Sequence, residues 1–281
     1  MTAPASKRTV SPGWPLYLAA LAVAAVVAGA VGQGFSGGSL AELGIPDPGA
    51  ATTFGLPALR GVAWLLMARA TGSFMLAAFL VPPSQQGEDL NGARLTVDGH
   101  IASRTGAHAS AGVALIGLVM IPLVLSDVSG QPLKTVLFEA AAWSTALDQV
   151  ADARVWLIVA AFAAVVAAGG YTATSWWSQV ALFVGSILVV MPIALTGHSA
   201  TGGAHDFGTN SLIWHLVAML LWVGGLMALV AHAYRRGPGL AGAASRYSRI
   251  ALFAILAMAV SGVVNALVLS LIHISEPTRP Y

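Results

Sequence analysis

The chain contains no cysteine and very little charge: Asp, Glu, Lys and Arg together make up 9% of its 281 residues, against roughly a quarter in soluble globular domains. The first absence excludes disulfides, thiolate clusters and zinc ribbons, so any soft-metal chemistry falls to histidine and methionine. The second excludes a water-soluble fold. With 57% hydrophobic residues and a mean hydropathy of +0.79, this is the composition of an integral membrane protein. Also missing is a basic stripe. The net charge of +2 comes from a few loop arginines, a mark of membrane topology and not of a nucleic-acid surface. No G-x-x-x-x-G-K-[ST] loop occurs, which argues against a nucleotide-driven pump.

What is present is a series of long apolar runs. A spanning helix needs roughly 20 apolar residues, because lipid cannot satisfy free backbone groups. Seven segments qualify, at 14–31, 61–81, 106–125, 154–171, 177–195, 211–234 and 247–268. They predict an all-α, polytopic transmembrane helix bundle of about seven spans that contacts membrane lipid. With the N-terminus inside, the inner segments hold Lys7, Arg8, Arg94, Arg104, Arg235, Arg236, Arg246 and Arg249, and the outer ones only Arg60, Lys134 and Arg154. The positive-inside rule therefore places the N-terminus in the cytoplasm. Lys7 and Arg8 before an apolar run also fit a signal peptide, but the run exceeds a typical h-region, so a signal anchor or true span is expected.

The division expected is a cytoplasmic tail at 1–13, the membrane domain at 14–268 and a foreign tail at 269–281. Residues 269–279 (LSLIHISEPTR) read as the translation of a transposase adapter used in sequencing libraries, so His273 and Glu276 are set aside, and the natural frame is expected to continue past Val268. Residues 32–59 are rich in Gly and Pro and predict an irregular outer loop. Residues 131–153 alternate apolar and polar at near-helical spacing and predict an amphipathic helix on the outer surface.

Candidate site residues sort by depth. In HSATGGAHDFGTNSLIWH, His198, His205 and His215 stand in an H-x6-H-x9-H spacing on the outer side. Met219 follows His215 by one helical turn on the same face, and Met191 lies about two turns before His198. Histidine with thioether suits copper, particularly Cu(I); ordinary loop histidines are the other reading, since no HxH or HxxxH pair is present. Asp206 could orient an imidazole or be a solvated loop charge. His108 and His232 form a second layer near the inner ends of the third and sixth segments, where facing imidazoles could ligate haem b; packing, or snorkelling of His232, is the alternative. Arg69 lies about nine residues into the second segment, roughly 13 Å from its outer end, with no acid of similar depth. Such a buried charge is a functional candidate unless backbone carbonyls or the Thr71–Ser73 turn satisfy it. Gly224 and Gly225 predict close helix approach, and Trp176, Trp177 and Trp214 predict interfacial anchors, with Trp222 facing lipid or packed.

The stretch LTGHSATGGAHDFGTNSLIWHLVAMLLWVGGLMALVAHAYRR, residues 195–236, resembles the copper resistance protein D (CopD) family of bacterial inner-membrane proteins. The likeness lies in Gly197–His198, Trp214–His215 and the W-x-G-G of Trp222, Gly224 and Gly225. It continues at Arg246, Tyr247 and Ser248, and at Ser261, Gly262 and Asn265. It is best over 177–268; earlier helices match in hydropathy and layout only. The resemblance implies copper ion transport and resistance at the bacterial cytoplasmic membrane, with copper received from a periplasmic CopC-type carrier. It also implies a longer chain, in which such a unit precedes a domain resembling a cytochrome c oxidase assembly factor. On that reading His198 and His215 hold copper, His205 less securely, and a path beside the sixth helix leads past Met219, Trp222 and Met227 toward His232. No Cys-Pro-Cys motif occurs, which argues against a copper-pumping ATPase, and the chain is expected to be no enzyme. A haem-binding redox protein, or a non-transporting factor that presents copper to an oxidase, are the alternatives.

Overall fold

The computed structural model describes residues 14–36, 47–81, 94–195 and 205–275. It is an all-α bundle, and seven of its helices are long and apolar enough to cross a membrane. In chain order the helices among the described residues are α1 (Trp14–Ser36), α2 (Ala50–Leu80), α3 (Val97–Ser129), the short α4 (Leu133–Phe138) and α5 (Ala140–Gln149), then α6 (Ala151–Thr172), and α7 (Trp176–Leu188) with α8 (Met191–Leu195), which together make one span. The last two are α9 (His205–Met219, continued by Leu220–Gly224 and Gly225–Tyr234) and α10 (Leu240–Ser275). We use inner and outer for the two ends of the bundle in the sense set by the charge bias above.

The helices run longer than the hydropathy windows, and local chemistry explains where they stop. Thr96 caps α3 by accepting a hydrogen bond from the Gly99 amide at 3.2 Å, Asp98 lies in the first turn, and Gly130 ends the helix with φ 64°. This is an N-cap and left-handed C-cap pair of the usual kind. The largest departure is at α2. Residues 50–59, expected as part of an irregular loop, are helical in spite of Pro57. Tertiary packing decides the matter. Thr52 and Ser126 share a buried hydroxyl hydrogen bond of 2.7 Å, Leu56 and Ala58 are buried, and α1 presents Gly29 to the Phe54 ring and Gly32 to the Pro57 ring with no room for a Cβ at either. The expected amphipathic segment at 131–153 is helical but interrupted, because Glu139 adopts an extended conformation between α4 and α5. Arg154 then donates to the carbonyls of Leu147 and Asp148, at 3.1 and 2.6 Å, closing the end of α5. α10 begins seven residues before the expected 247 and continues to Ser275.

The core sits where α2, α3 and α6 meet, around Met67, Phe74, Val113, Met120, Trp156 and Val159. A second, inner cluster joins Met75 and Leu80 of α2 to Ala228 of α9 and Tyr247 of α10. α2 and α9 cross at their glycines: a Cβ on Gly72 would enter the carbonyl of Gly224, and one on Gly224 would enter that of Ala68. This is the close approach that Gly224 predicted, and it depends on small residues, because apolar side chains gain nothing from leaving lipid. α9 widens into a π-helical turn at Leu220–Gly224, and α2 ends in another at Leu76–Leu80. The carbonyls freed near that second turn are taken up by side chains: Trp176 Nε1 donates to Ala78 O and Arg246 to Leu80 O, both at 2.7 Å. Trp176 is thus a structural tie and more than an interfacial anchor.

Candidate functional site

At the outer end, the residues are held between α9 and α10. Ser211 donates to the carbonyl of Ser261 at 2.9 Å, and one turn further along α9 the His215 Nδ1 lies 3.2 Å from Ser261 Oγ. The Ser261 hydroxyl itself donates to Met258 O at 3.1 Å. With the Ser261 proton directed to Met258 O, Ser261 accepts from His215 Nδ1–H, and the neutral ring keeps its lone pair on Nε2. That is the tautomer a metal-binding imidazole needs. Because α9 starts at His205 and not near 211, His215 lies ten residues into the helix. It is roughly 15 Å from the helix start and so not in the first turn, as the hydropathy window implied.

Met219 is one turn inward of His215, half-buried and packed against the main core. Met258, which sequence reasoning did not single out, stands three residues before Ser261 on the same face of α10 and is half-buried. Met191 opens α8 after a break at Val189–Val190, so the single helix expected over 177–195 is two. His198 lies outside the described residues. His205 begins α9, but its side chain and that of Asp206 also lie outside them. Among the described residues no three His, Asp or Glu side chains converge, so a metal held by them at this end would draw on thioethers as well.

At the inner end, the expected pairing of His108 with His232 does not form. His108 is exposed, its Nδ1 lies 2.6 Å from Arg104 O, and its ring meets Tyr171 edge to face. His232 is completely buried, with Nε2 3.2 Å from Pro238 O and Nδ1 3.7 Å from Asp98 Oδ1. Asp98 precedes His108 by ten residues on α3, so the two imidazoles are in layers roughly 15 Å apart along that helix. The windows concealed this, since they started α3 at 106 and made His108 seem terminal. These surroundings do not fit a haem held by the two rings.

Arg69 also changes depth. Measured from Ala50 it is nineteen residues into α2, roughly 28 Å from the outer start, and therefore in the inner half. It is buried, and its guanidinium lies over the Tyr17 ring at 5.6 Å. Among the described residues no carboxylate pairs with it; the Ser73 hydroxyl donates to the Arg69 carbonyl at 2.7 Å and leaves the guanidinium aside. A cation over an aromatic face is stabilising in a dry setting, which accounts for its placement without a counter-ion. Arg235, just past the inner end of α9, has its pKa lowered by burial, opposed by the charge of Asp98.

Ser261, Met258, Asp98 and the fully buried Gln179, whose amide atoms have no protein partner among the described residues, were missed as site candidates. Serine and methionine at helical spacing look like ordinary packing residues, and only the antiparallel register of α9 and α10 marks two of them. Asp98 carried one legible signal, an acid in a capped first turn.

Residues 50–206 match the family described as copper resistance protein D-like, N-terminal domain. The match spans α2 to the opening of α9, the helices in which sequence reading found the weaker likeness; the motifs quoted at 214–265 lie beyond it. An uncharacterized protein of Mycobacterium bovis and one of Mycobacterium tuberculosis are each 28% identical over 209 residues, covering 74% of this chain and 30% of theirs. The chain thus spans about a third of the length of these curated relatives. No solved structure matches. With more than half of its length matched and its seven apolar helices in place, the chain belongs to the copper resistance protein D-like membrane protein family.

Proposed function

We propose that this chain moves copper across the bacterial cytoplasmic membrane, accepting the ion at its outer end on His215 and adjacent thioethers. The family supports a role in copper resistance or handling. The observation that carries the finer reading is the His215–Ser261 contact, which engages Nδ1 and leaves the Nε2 lone pair without a partner among the described residues. One turn inward, Met219 on α9 and Met258 on α10 stand on the faces that carry His215 and Ser261, so the imidazole has sulfur ligands at the next level. Soft, neutral donors of this kind favour Cu(I) over hard cations, and stepwise exchange between them lets an ion advance without a permanently charged site in the membrane. His198 and His205 are proposed to extend the site outward, where a soluble copper carrier would deliver its ion.

The test is to purify the full chain and measure bound copper by elemental analysis beside a visible spectrum, in the wild type, His215→Ala and His198→Ala with His215→Ala. The expected result is copper without a Soret band, reduced by His215→Ala and abolished in the double variant while helicity is retained. Undiminished copper in the double variant removes these residues from the site. A Soret band without copper refutes the reading.

A further inference from the structure

His232 and Asp98 meet in a way the copper reading does not use. His232 Nε2 faces the carbonyl oxygen of Pro238 at 3.2 Å. A carbonyl only accepts, so the proton of the neutral ring belongs on Nε2. Nδ1 then carries a lone pair, is fully buried without a hydrogen-bond partner, and lies 3.7 Å from Asp98 Oδ1. Two acceptors face each other inside the protein, an arrangement that is unfavourable until something positive enters between them. No third His, Asp or Glu joins the pair among the described residues, which leaves a metal ion short of ligands. Arg235, just past the end of α9, is within electrostatic reach of Asp98, and Arg69 on α2 within reach of Arg235, which further disfavours a multiply charged ion. On α10, Arg246 is held by Leu80 O and Tyr247 by Trp222 O.

We propose that Asp98 and His232 form a proton-binding site that latches the inner ends of α3 and α9 together. One proton taken from the inner aqueous side bonds to Nδ1; no other covalent bond changes. The resulting imidazolium donates to Asp98 while Nε2–H stays on Pro238 O. A charge-assisted hydrogen bond of this type is about 2.8 Å long, so the two atoms draw together by about 0.9 Å. The adjoining turn is moulded to the ring. Gly237 donates its amide to His232 O at 3.0 Å, and a Cβ at Gly237 would enter the imidazole. Arg236 and Gly239 take left-handed conformations, with φ 53° and 70°. A shift of the ring therefore reaches the start of α10 at Leu240 through the five-residue turn 235–239. This site stands apart from the outer copper site and does not depend on it.

The test uses the full chain in lipid nanodiscs with ¹⁵N-labelled histidine, following ring nitrogens from pH 8 to pH 5. The His232 signal is identified by its loss in His232→Gln. The expected result is an Nε2–H ring at pH 8 that becomes doubly protonated on acidification, with the transition displaced to lower pH in Asp98→Asn. Amide exchange at Arg235, Arg236, Gly237 and Gly239, corrected for its intrinsic pH dependence, is expected to slow below the transition in the wild type and not in His232→Gln. Asp98→Asn leaves the ring in place and carries the test if His232→Gln does not fold. A ring that stays neutral throughout, or a transition unchanged in Asp98→Asn, overturns the proposal. So does a shift of the Nδ1 signal on adding Cu(I) or zinc at pH 8, which would make the gap a metal site.

Discussion

Replacing Gly72 by alanine tests the packing that holds α9, and with it His215, against the rest of the bundle. The new Cβ would lie 2.8 Å from Gly224 Cα and closer still to the Gly224 carbonyl. Carbon atoms settle at roughly 3.5–4.0 Å, so the two helices must part by about 1 Å or more. The obstructing atoms are backbone and cannot rotate away. Overpacking of this type costs about 1–3 kcal/mol. Alanine's higher helix propensity returns up to about 1 kcal/mol. The net expectation is a loss of about 1–2 kcal/mol, above the ordinary scatter of surface substitutions, about 0.5 kcal/mol. Gly262→Ala is the control: its Cβ would meet only the His215 ring, at 3.8 Å, an ordinary contact. Reversible unfolding in mixed micelles, followed by tryptophan fluorescence, measures both. If Gly72→Ala proves as stable as Gly262→Ala, the backbone-to-backbone crossing is wrong.

Three further outcomes follow from the same contacts. Ser261→Ala removes the acceptor that holds His215 Nδ1–H, and competition with a chromophoric Cu(I) chelator should show copper affinity reduced about 10–100-fold, the usual effect of losing a ligand's orienting partner; unchanged affinity would separate the two. Trp176→Phe deletes the 2.7 Å bond to Ala78 O and should lower unfolding stability by about 1 kcal/mol. Asp152→Asn breaks a 2.7 Å pair with Arg60 whose side chains are 45% and 41% exposed. It should change stability by less than about 1 kcal/mol, and less again in high salt.

The sequence showed its motifs in pieces, and the register of the helices joined some and separated others. Trp214–His215 and Ser261–Gly262 were legible as two short patterns 46 residues apart, with no sign that one supplies the hydrogen bond that sets the tautomer of the other. His108 and His232 looked like a pair because hydropathy windows truncate a helix at its polar first turns, and the nine residues omitted from α3 moved His108 by about two and a half turns. Residues 32–59 read as a loop for their glycine and proline content, since propensity counts the backbone bond lost at Pro57 and not the fit of its ring against Gly32.

By itself the sequence determined that the chain is a membrane-helical bundle with no thiol chemistry: long apolar runs can satisfy their backbone in lipid only as helices, and a residue type that is absent cannot react. It also supplied the neutral histidines and thioethers from which a copper site could be built. Only the tertiary structure decided which helices meet and that His215 faces Ser261. Helix crossings set by glycine, π turns at Leu76–Leu80 and Leu220–Gly224, and the antiparallel register of α9 and α10 are properties of two helices at once. The hydropathy of either helix alone carries no information about its neighbour, because nearly every apolar side chain is equally content in lipid.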